Sequence, residues 1–197
     1  MENTQNSENP KPVFDEKIER EVLNFKTGEK YKLLSGQDII FSKEDIEQIA
    51  SICSQEEVYN ILFKIKFKDR PYTPEDAIQF TQWVEKGWKE GTHFVFFVRN
   101  TENKIVGAVD IKSPDLNRAE VGYWADRNSS GFMTNALMEL CSIAKNAKYI
   151  KLFGQVRPEN HKSSAVLERA SFKYVGVNKR EYNKDTDYLV YEKNLVK

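Results

Sequence analysis

Cysteine is nearly absent: Cys53 and Cys141 are the only two in 197 residues. They lie far apart and form no C-x-x-C pair, which argues against a disulfide scaffold or a zinc site and suits a reducing compartment. Histidine is equally scarce. His93 and His161 have no partners at metal-ligand spacing, so no metal is expected and both read as surface or packing residues. No excess charge of either sign exists, with 30 basic against 30 acidic residues. The chain therefore carries no global field to draw in nucleic acid or a membrane surface. No apolar run approaches the roughly 20 residues that span a bilayer, and the N-terminus lacks the apolar core of a signal peptide. A soluble, cytoplasmic protein is expected, with monomer and homodimer both open.

Apolar residues make up 40% and aromatics 12% of the chain, enough to bury a core despite 30% charged residues. The length suits one domain. Residues 1–12 contain Met1 as their one apolar residue and two prolines, the composition of a flexible tail, leaving residues 13–197 as the domain. Lys30 to Leu34 reads as a short strand. Ser42-Lys43-Glu44-Asp45 has the form of a capping box, followed by Ile46, Ile49, Ala50 and Cys53 at helical spacing. Thr73-Pro74-Glu75-Asp76 opens a second helix, Ala77, Phe80, Val84 and Trp88 give its apolar face, and Gly91 ends it. Phe94–Arg99 and Lys104–Ile111 are β-branched and aromatic runs joined by the turn residues Asn100 to Asn103, and Ala119–Trp124 is a third strand. Met133, Ala136, Leu137, Leu140, Cys141 and Ala144 form one helical stripe. Tyr149–Val156 reads as a strand, Ser163–Ala170 as a helix, and Phe172–Val177 and Tyr188–Glu192 as closing strands. The order predicts a mixed α+β fold, a sheet with helices on both faces.

The segment from Glu120 to Phe172 carries most of the functional signal. A strand, Glu120-Val121-Gly122-Tyr123-Trp124, runs into a turn centred on Gly131 and then into a helix beginning Met133-Thr134-Asn135-Ala136-Leu137. A second helix opens at Asn160-His161-Lys162-Ser163. A strand, a tight turn and a fresh helix N-terminus make a cradle for an anion, because unpaired backbone N–H groups and the helix dipole face it.

Residues from about Pro71 to Val177 resemble the GNAT superfamily of N-acetyltransferases, nearest to the subgroup of ribosomal-protein-alanine N-acetyltransferases. The resemblance rests on four motifs in order. In such proteins an E-[IV]-G-Y-W strand precedes a phosphate loop of form [QR]-x-x-G-x-[GA], then T-E-A-L on the helix, then N-x-x-S-x-x-[VL]-L-E-[KR]-x-G-F. Here these are Glu120–Trp124, Asn128–Met133, Thr134–Leu137 and Asn160–Phe172. The runs Ser54 to Tyr59 and Pro71 to Asp76 are similar too, which extends the resemblance back to about Lys30. The chain departs from the pattern where the loop begins with Asn128, where Ser129 replaces a common glycine, where Met133 replaces a small residue, and at Ser171. A side chain at a position needing positive φ costs about 1 kcal/mol or more, so weaker cofactor binding than in a typical relative is expected.

The resemblance implies a central, mostly antiparallel, splayed sheet flanked by helices on both faces, acetyl-CoA as co-substrate, no metal, and a primary amine as acceptor. A protein N-terminal α-amine is the leading acceptor. Polyamines and antibiotics are the alternative, as is a non-catalytic acyl-CoA-binding or interaction module on the same fold. Ser129, Ser130, Gly131, Phe132 and Met133 would hold the pyrophosphate through backbone N–H groups, with Thr134 adding a hydroxyl. Tyr123, Trp124 and Ala125 match the point where the family strand splays to pair with the pantetheine arm and polarise the thioester carbonyl. Glu120 is the candidate general base, poised nearer neutral pH by partial desolvation, or else an ordinary strand glutamate paired with Arg118. The family's tyrosine acid is replaced by Leu167. Ser163 is the alternative hydroxyl near the departing sulfur, and Asn160 would bond the pantetheine amides, although both also suit a plain helix start. Lys145, Lys148, Lys151 and Lys162 read as a solvated face with some attraction for the 3′-phosphate. A polycationic acceptor would call on Glu56, Glu57, Glu75 and Asp76, all of which also suit helix first turns.

Overall fold

Local signals set most element boundaries in the computed structural model, which describes residues 10–180 and 183–196. Strands β1 (Glu19–Leu23) and β2 (Lys30–Ser35) precede a short 3-10 turn and helices α1 (Lys43–Cys53), α2 (Glu56–Leu62), α3 (Lys64–Phe67) and α4 (Pro74–Glu90). Strands β3 (Phe94–Arg99), β4 (Ile105–Ile111) and β5 (Ala119–Ala125) follow. Helix α5 (Met133–Asn146), β6 (Lys151–Val156), α6 (His161–Arg169), β7 (Lys173–Arg180) and β8 (Asn183–Asn194) complete the order. Ser42 and Asp45 form the expected capping box on α1. At α4 the Thr73 N–H donates to Asp76 Oδ2 at 2.8 Å, Pro74 takes the first helical position, and Gly91 ends the helix with φ of 66°. The Asn100–Asn103 turn closes β3 on β4, with Asn103 at φ of 63°.

The eight strands form one sheet in the order β1-β2-β3-β4-β5-β6-β8-β7. Every pairing is antiparallel except β5 with β6, which are parallel. That parallel contact consists only of Ala119 with Leu152 and Glu120 with Phe153. Beyond Glu120 the two strands part, β5 following β4 as far as Ala125 while β6 follows β8. The sheet therefore splays at its centre, as the resemblance implies.

Each face of the sheet has its own core. One gathers Leu137, Leu140, Phe132, Val121 and Leu167 beneath α5 and α6. The other gathers Ile49, Val84, Val95, Phe97 and Trp124 beneath α1 and α4. All six residues of the predicted α5 stripe are buried, and Trp88 packs against Phe14, Phe94 and Phe96 with its Nε1 donating to Val95 O. Of the expected tail, residues 1–9 lie outside the described residues, and residues 10–12 are irregular. The structure adds β1, α2 and α3 to the expected order. In β1 the charged residues Glu19, Arg20 and Glu21 leave Val22 as its one buried member, and neither α2 nor α3 buries a residue, so no periodic stripe announces them.

Asp45 holds α1 to β3. Its two oxygens accept from Arg99 Nη1 and Nη2 at 2.8 and 2.9 Å, with both side chains only 10% exposed. Burial alone would raise the Asp45 carboxyl pKa, but Arg99 and the Ser42 cap outweigh it and hold it below 3.8. An ion pair broken from one side leaves a buried charge uncompensated, so Asp45→Asn is expected to cost about 3–5 kcal/mol. The change should appear as a lower urea midpoint at unchanged slope. The pair's contribution is present above the unfolded carboxyl value and is lost as pH falls through the lower folded one, so wild type and Asp45→Asn should converge in stability in acid.

Candidate active site

Antiparallel strands point alternate residues' N–H and C=O groups at one neighbour and the remainder at the other. The Lys112 N–H donates to Glu120 O and the Asp126 N–H to Val106 O, at 2.9 and 2.8 Å. In that register Glu120, Gly122 and Trp124 turn their backbone groups to β4. Val121, Tyr123 and Ala125 turn theirs to the opposite edge, where β6 has already departed. Tyr123 and Ala125 thus present free strand backbone to an open gap, as expected. Trp124 instead contributes its ring to the apolar wall formed with Phe80 and Phe97.

The loop after β5 is built by Asp126, which the sequence did not single out. Its side chain accepts from the Asn128 N–H and the Ser129 hydroxyl, and Gln55 Nε2 donates to Oδ1 at 2.7 Å. Its main-chain oxygen accepts from the Ser129 N–H at 3.0 Å. Ser129 is consequently a shaping residue, its own N–H and hydroxyl both used. The N–H groups of Ser130, Gly131, Phe132, Met133 and Thr134 meet no acceptor among the described residues, and they open α5. They make a row of free donors at the start of α5, with Phe132 and Met133 anchoring it by side chains buried in the core. Thr134 Oγ1 accepts from Arg169 Nε at 3.2 Å.

The loop leans on the β1–β2 turn. Buried Asn24 donates through Nδ2 to Ser130 O, the Phe25 N–H donates to Gly131 O, and Lys26 Nζ donates to Ser130 Oγ at 2.8 Å. Gly131 has φ of 112°, and a Cβ there would stand 2.3 Å from Asn24 Oδ1, so backbone and space both require glycine. Lys26 brings a cation to the loop that has lost its leading Gln or Arg. Of the lysines considered for the phosphates, Lys151 is paired with Glu192 and Lys162 with Glu57.

On the α1–α4 face, Glu120 is ion-paired with Arg180 and, at 3.0 Å, with Lys112. Arg118 is engaged elsewhere, with Glu192 and over the Phe153 ring. Desolvation pushes the Glu120 carboxyl up, yet Lys112 and Arg180 together prevail and leave it below its ordinary value. The upward shift expected of a near-neutral base is replaced by a downward one, which favours the ionised carboxylate. Asp110, two residues before Lys112 on β4, behaves oppositely: burial raises its pKa and the neighbouring Lys112 only partly offsets this.

On the other face, Ser163 sits in the first turn of α6 with its Oγ 2.6 Å from the Tyr123 hydroxyl, which also donates to Ser163 O. Burial pushes the Tyr123 phenol well up, the Ser163 bond only partly countering it, so this pair remains protonated at neutral pH. Asn160 caps α6, its Oδ1 accepting from the Ser163 N–H at 3.2 Å, and its Nδ2 has no partner among the described residues. Leu167, at the site of the missing tyrosine, is buried against Gly154. Helix α2 straps the two halves of the splay together. Gln55 just before it holds Asp126 and Arg127, Glu57 pairs with Lys162, and Asn60 O accepts from Arg157.

Free donors at a helix N-terminus, leading into a strand gap with unused backbone and a hydroxyl pair at its side, suit an acyltransferase that uses a coenzyme A thioester. The model of the acetyltransferase (GNAT) domain matches residues 40–173. The chain belongs to that family, whose members take the acetyl group from acetyl-CoA. No curated protein matches it in sequence. Among solved structures it is similar to Mycobacterium smegmatis RimJ in complex with CoA-disulfide, at TM-score 0.71 and 19% identity, covering 89% of this chain and 86% of that one. A ribosomal-protein-S5-alanine acetyltransferase from Vibrio fischeri gives 0.67 and 21%, covering 90% and 96%. A Vibrio cholerae spermidine N-acetyltransferase, in complex with CoA and spermine, gives 0.65 and 14%, covering 84% and 95%. Among the described residues no side-chain group could hold a metal ion, and no helix is long and apolar enough to cross a membrane.

Gly131→Ala is expected to weaken acetyl-CoA binding at least 10-fold in calorimetry, because the added methyl must displace Asn24 and with it the braced loop. Lys26→Ala should raise the dissociation constant several-fold and flatten its dependence on salt, as expected for a lost phosphate contact.

Proposed function

We propose that the protein acetylates a primary amine, with the α-amine at a protein N-terminus as the acceptor class. The observation that carries this reading is the parting of β5 from β6 after Glu120, which leaves Tyr123 and Ala125 backbone open beside a cradle of five unused N–H groups. Ser130 to Thr134 would hold the pyrophosphate, Tyr123 and Ala125 the pantetheine arm, and Asn160 Nδ2 an arm amide. The bound co-substrate supplies an activated acetyl thioester. The Tyr123 N–H would serve as the oxyanion donor, and the Tyr123–Ser163 hydroxyl pair would return a proton to the departing sulfur. Glu120 remains at the site as the anion that fixes Lys112 and Arg180.

The N-terminal acceptor is supported by the similarity to enzymes named for ribosomal-protein alanine acetylation. A polycation gains little from the acids considered for it, since Glu57 is paired with Lys162 and Asp76 with Arg70. A cytoplasmic setting belongs to the same proposal and is supported by two buried, unpaired cysteines.

Calorimetry with acetyl-CoA followed by thiol-release assays on peptides beginning with alanine or serine, and on spermidine, tests the reading. Micromolar binding and turnover of a peptide are expected. Turnover of spermidine alone would overturn the acceptor class, and no binding at millimolar acetyl-CoA would overturn the enzyme. Ser163→Ala should lower kcat by about 10-fold, a modest loss because a thiol of pKa near 8.5 leaves readily.

A further inference from the structure

Lys112 continues the register of β4 opposite Glu120, its N–H donating to Glu120 O. Its side chain runs diagonally over the next position on the same face, Gly122. A Cβ there would stand 2.8 Å from Lys112 Cε and 3.1 Å from Nζ. The missing side chain of Gly122 is what lets a lysine anchored beside β4 reach across β5. Glu120 Oε1 accepts from its Nζ at 3.0 Å, and the Asp110 carboxyl opposite Gly122 adds its charge. Burial lowers the Lys112 pKa, but Asp110 and Glu120 outweigh it and leave it raised, with Arg180 opposing them. In acetyl transfer to an outside amine this ammonium has no part beyond its pairing with Glu120.

Its place is nevertheless that of an acceptor. Gly122 is followed by Tyr123, whose N–H faces the open gap, and covalent spacing puts Nζ within about 6–7 Å of that donor. A thioester carbonyl accepting from the Tyr123 N–H at about 3 Å, with an attacking nitrogen about 3–3.5 Å from its carbon, spans such a distance. A carbonyl lying in the plane of the sheet also turns one of its faces to the α1–α4 side, where Nζ stands.

We propose that Lys112 is an internal acceptor, acetylated at Nζ by the protein's own bound acetyl-CoA. This rests on the acetyl-transfer reading above. A proton leaves Nζ along its hydrogen bond to Glu120 Oε1 and passes to solvent. The freed lone pair forms an N–C bond to the thioester carbonyl carbon, and the C–S bond breaks with its electrons going to sulfur. A second nitrogen proton ends on the thiol by way of Ser163. One lysine ammonium and one thioester thus give one acetyl-lysine, one thiol and one proton. The ion pair must be given up first, so the modification is a slow single turnover. The product amide has lost its charge and leaves Arg180 to hold the Glu120 carboxylate.

The test is to incubate the full chain with isotope-labelled acetyl-CoA and no other acceptor, then to follow each lysine by peptide mass spectrometry. Lys112 is expected to take the label at least about 10-fold faster than the exposed Lys68 and Lys148, the advantage of a nitrogen held beside the thioester. Its rate should saturate with acetyl-CoA and stay the same when the protein is diluted. Added coenzyme A should slow Lys112 and leave the surface lysines unaffected. Gly122→Ala, whose methyl would push Lys112 Cε and Nζ aside, should slow the labelling several-fold while calorimetry shows acetyl-CoA binding kept. Binding of acetyl-CoA with Lys112 unlabelled overturns the proposal alone, as does labelling no faster than Lys68 and unblocked by coenzyme A. Failure of acetyl-CoA to bind in calorimetry would strike the acetyl-transfer reading and this proposal with it.

Discussion

Backbone polar groups must be satisfied, and β5 beyond Glu120 is where this protein leaves them open. Parallel pairing with β6 is limited to two residues because β6 is recruited over its whole length by β8, while β5 is held equally firmly by β4. Neither strand can bend to close the gap without giving up an antiparallel ladder. The free N–H and C=O groups of Tyr123 and Ala125 are thus maintained by the stability of the two half-sheets, and a ligand carrying amides along an extended arm can complete the ladder. The site is a consequence of sheet topology before it is a consequence of any side chain.

The phosphate loop shows how a departed motif can still make its fold. A typical loop uses several glycines to bring backbone close to an anion. Here Asp126, Gln55 and the β1–β2 turn do the bracing, so only Gly131 must adopt positive φ. Ser129, which stands at a common glycine position, is not strained by its side chain but uses it to bond Asp126. The additional cost is that the loop depends on distant chain: Asn24 and Lys26 come more than 100 residues earlier. This coupling explains why Asn24, a polar residue, is buried to 1% exposure.

Periodicity and caps made α1, α4, α5 and the central strands legible, because each carries its signal within one element: the Ser42 and Thr73 boxes, the α5 stripe, the unbroken apolar run of β3. Helix α2 was illegible for the converse reason. It serves by polar links from its ends, Gln55, Glu57 and Asn60, rather than by a buried face. The cradle and the Tyr123 edge could be found from the resemblance, since they depend on order along the chain. Asp126 and Lys26 could not, because their roles arise only when remote segments meet.

The division between the two carboxylates follows from where cations can reach. Glu120 is the last residue of β5 paired with β6, where Lys112 just past β4 and Arg180 at the end of β7 converge on it. Both favour its charged form and hold its carboxyl below the ordinary value. Asp110 is one row further in, with no ion pair of its own among the described residues, and burial dominates. Two acids of similar intrinsic strength are thereby set apart by environment, one shifted toward its charged form and one toward its neutral form. Interchanging the roles would require moving Arg180, and its hairpin is tied to β6 through β8 along the strand that bounds the gap. The electrostatics around Glu120 and the opening beside Tyr123 are therefore products of the same strand order.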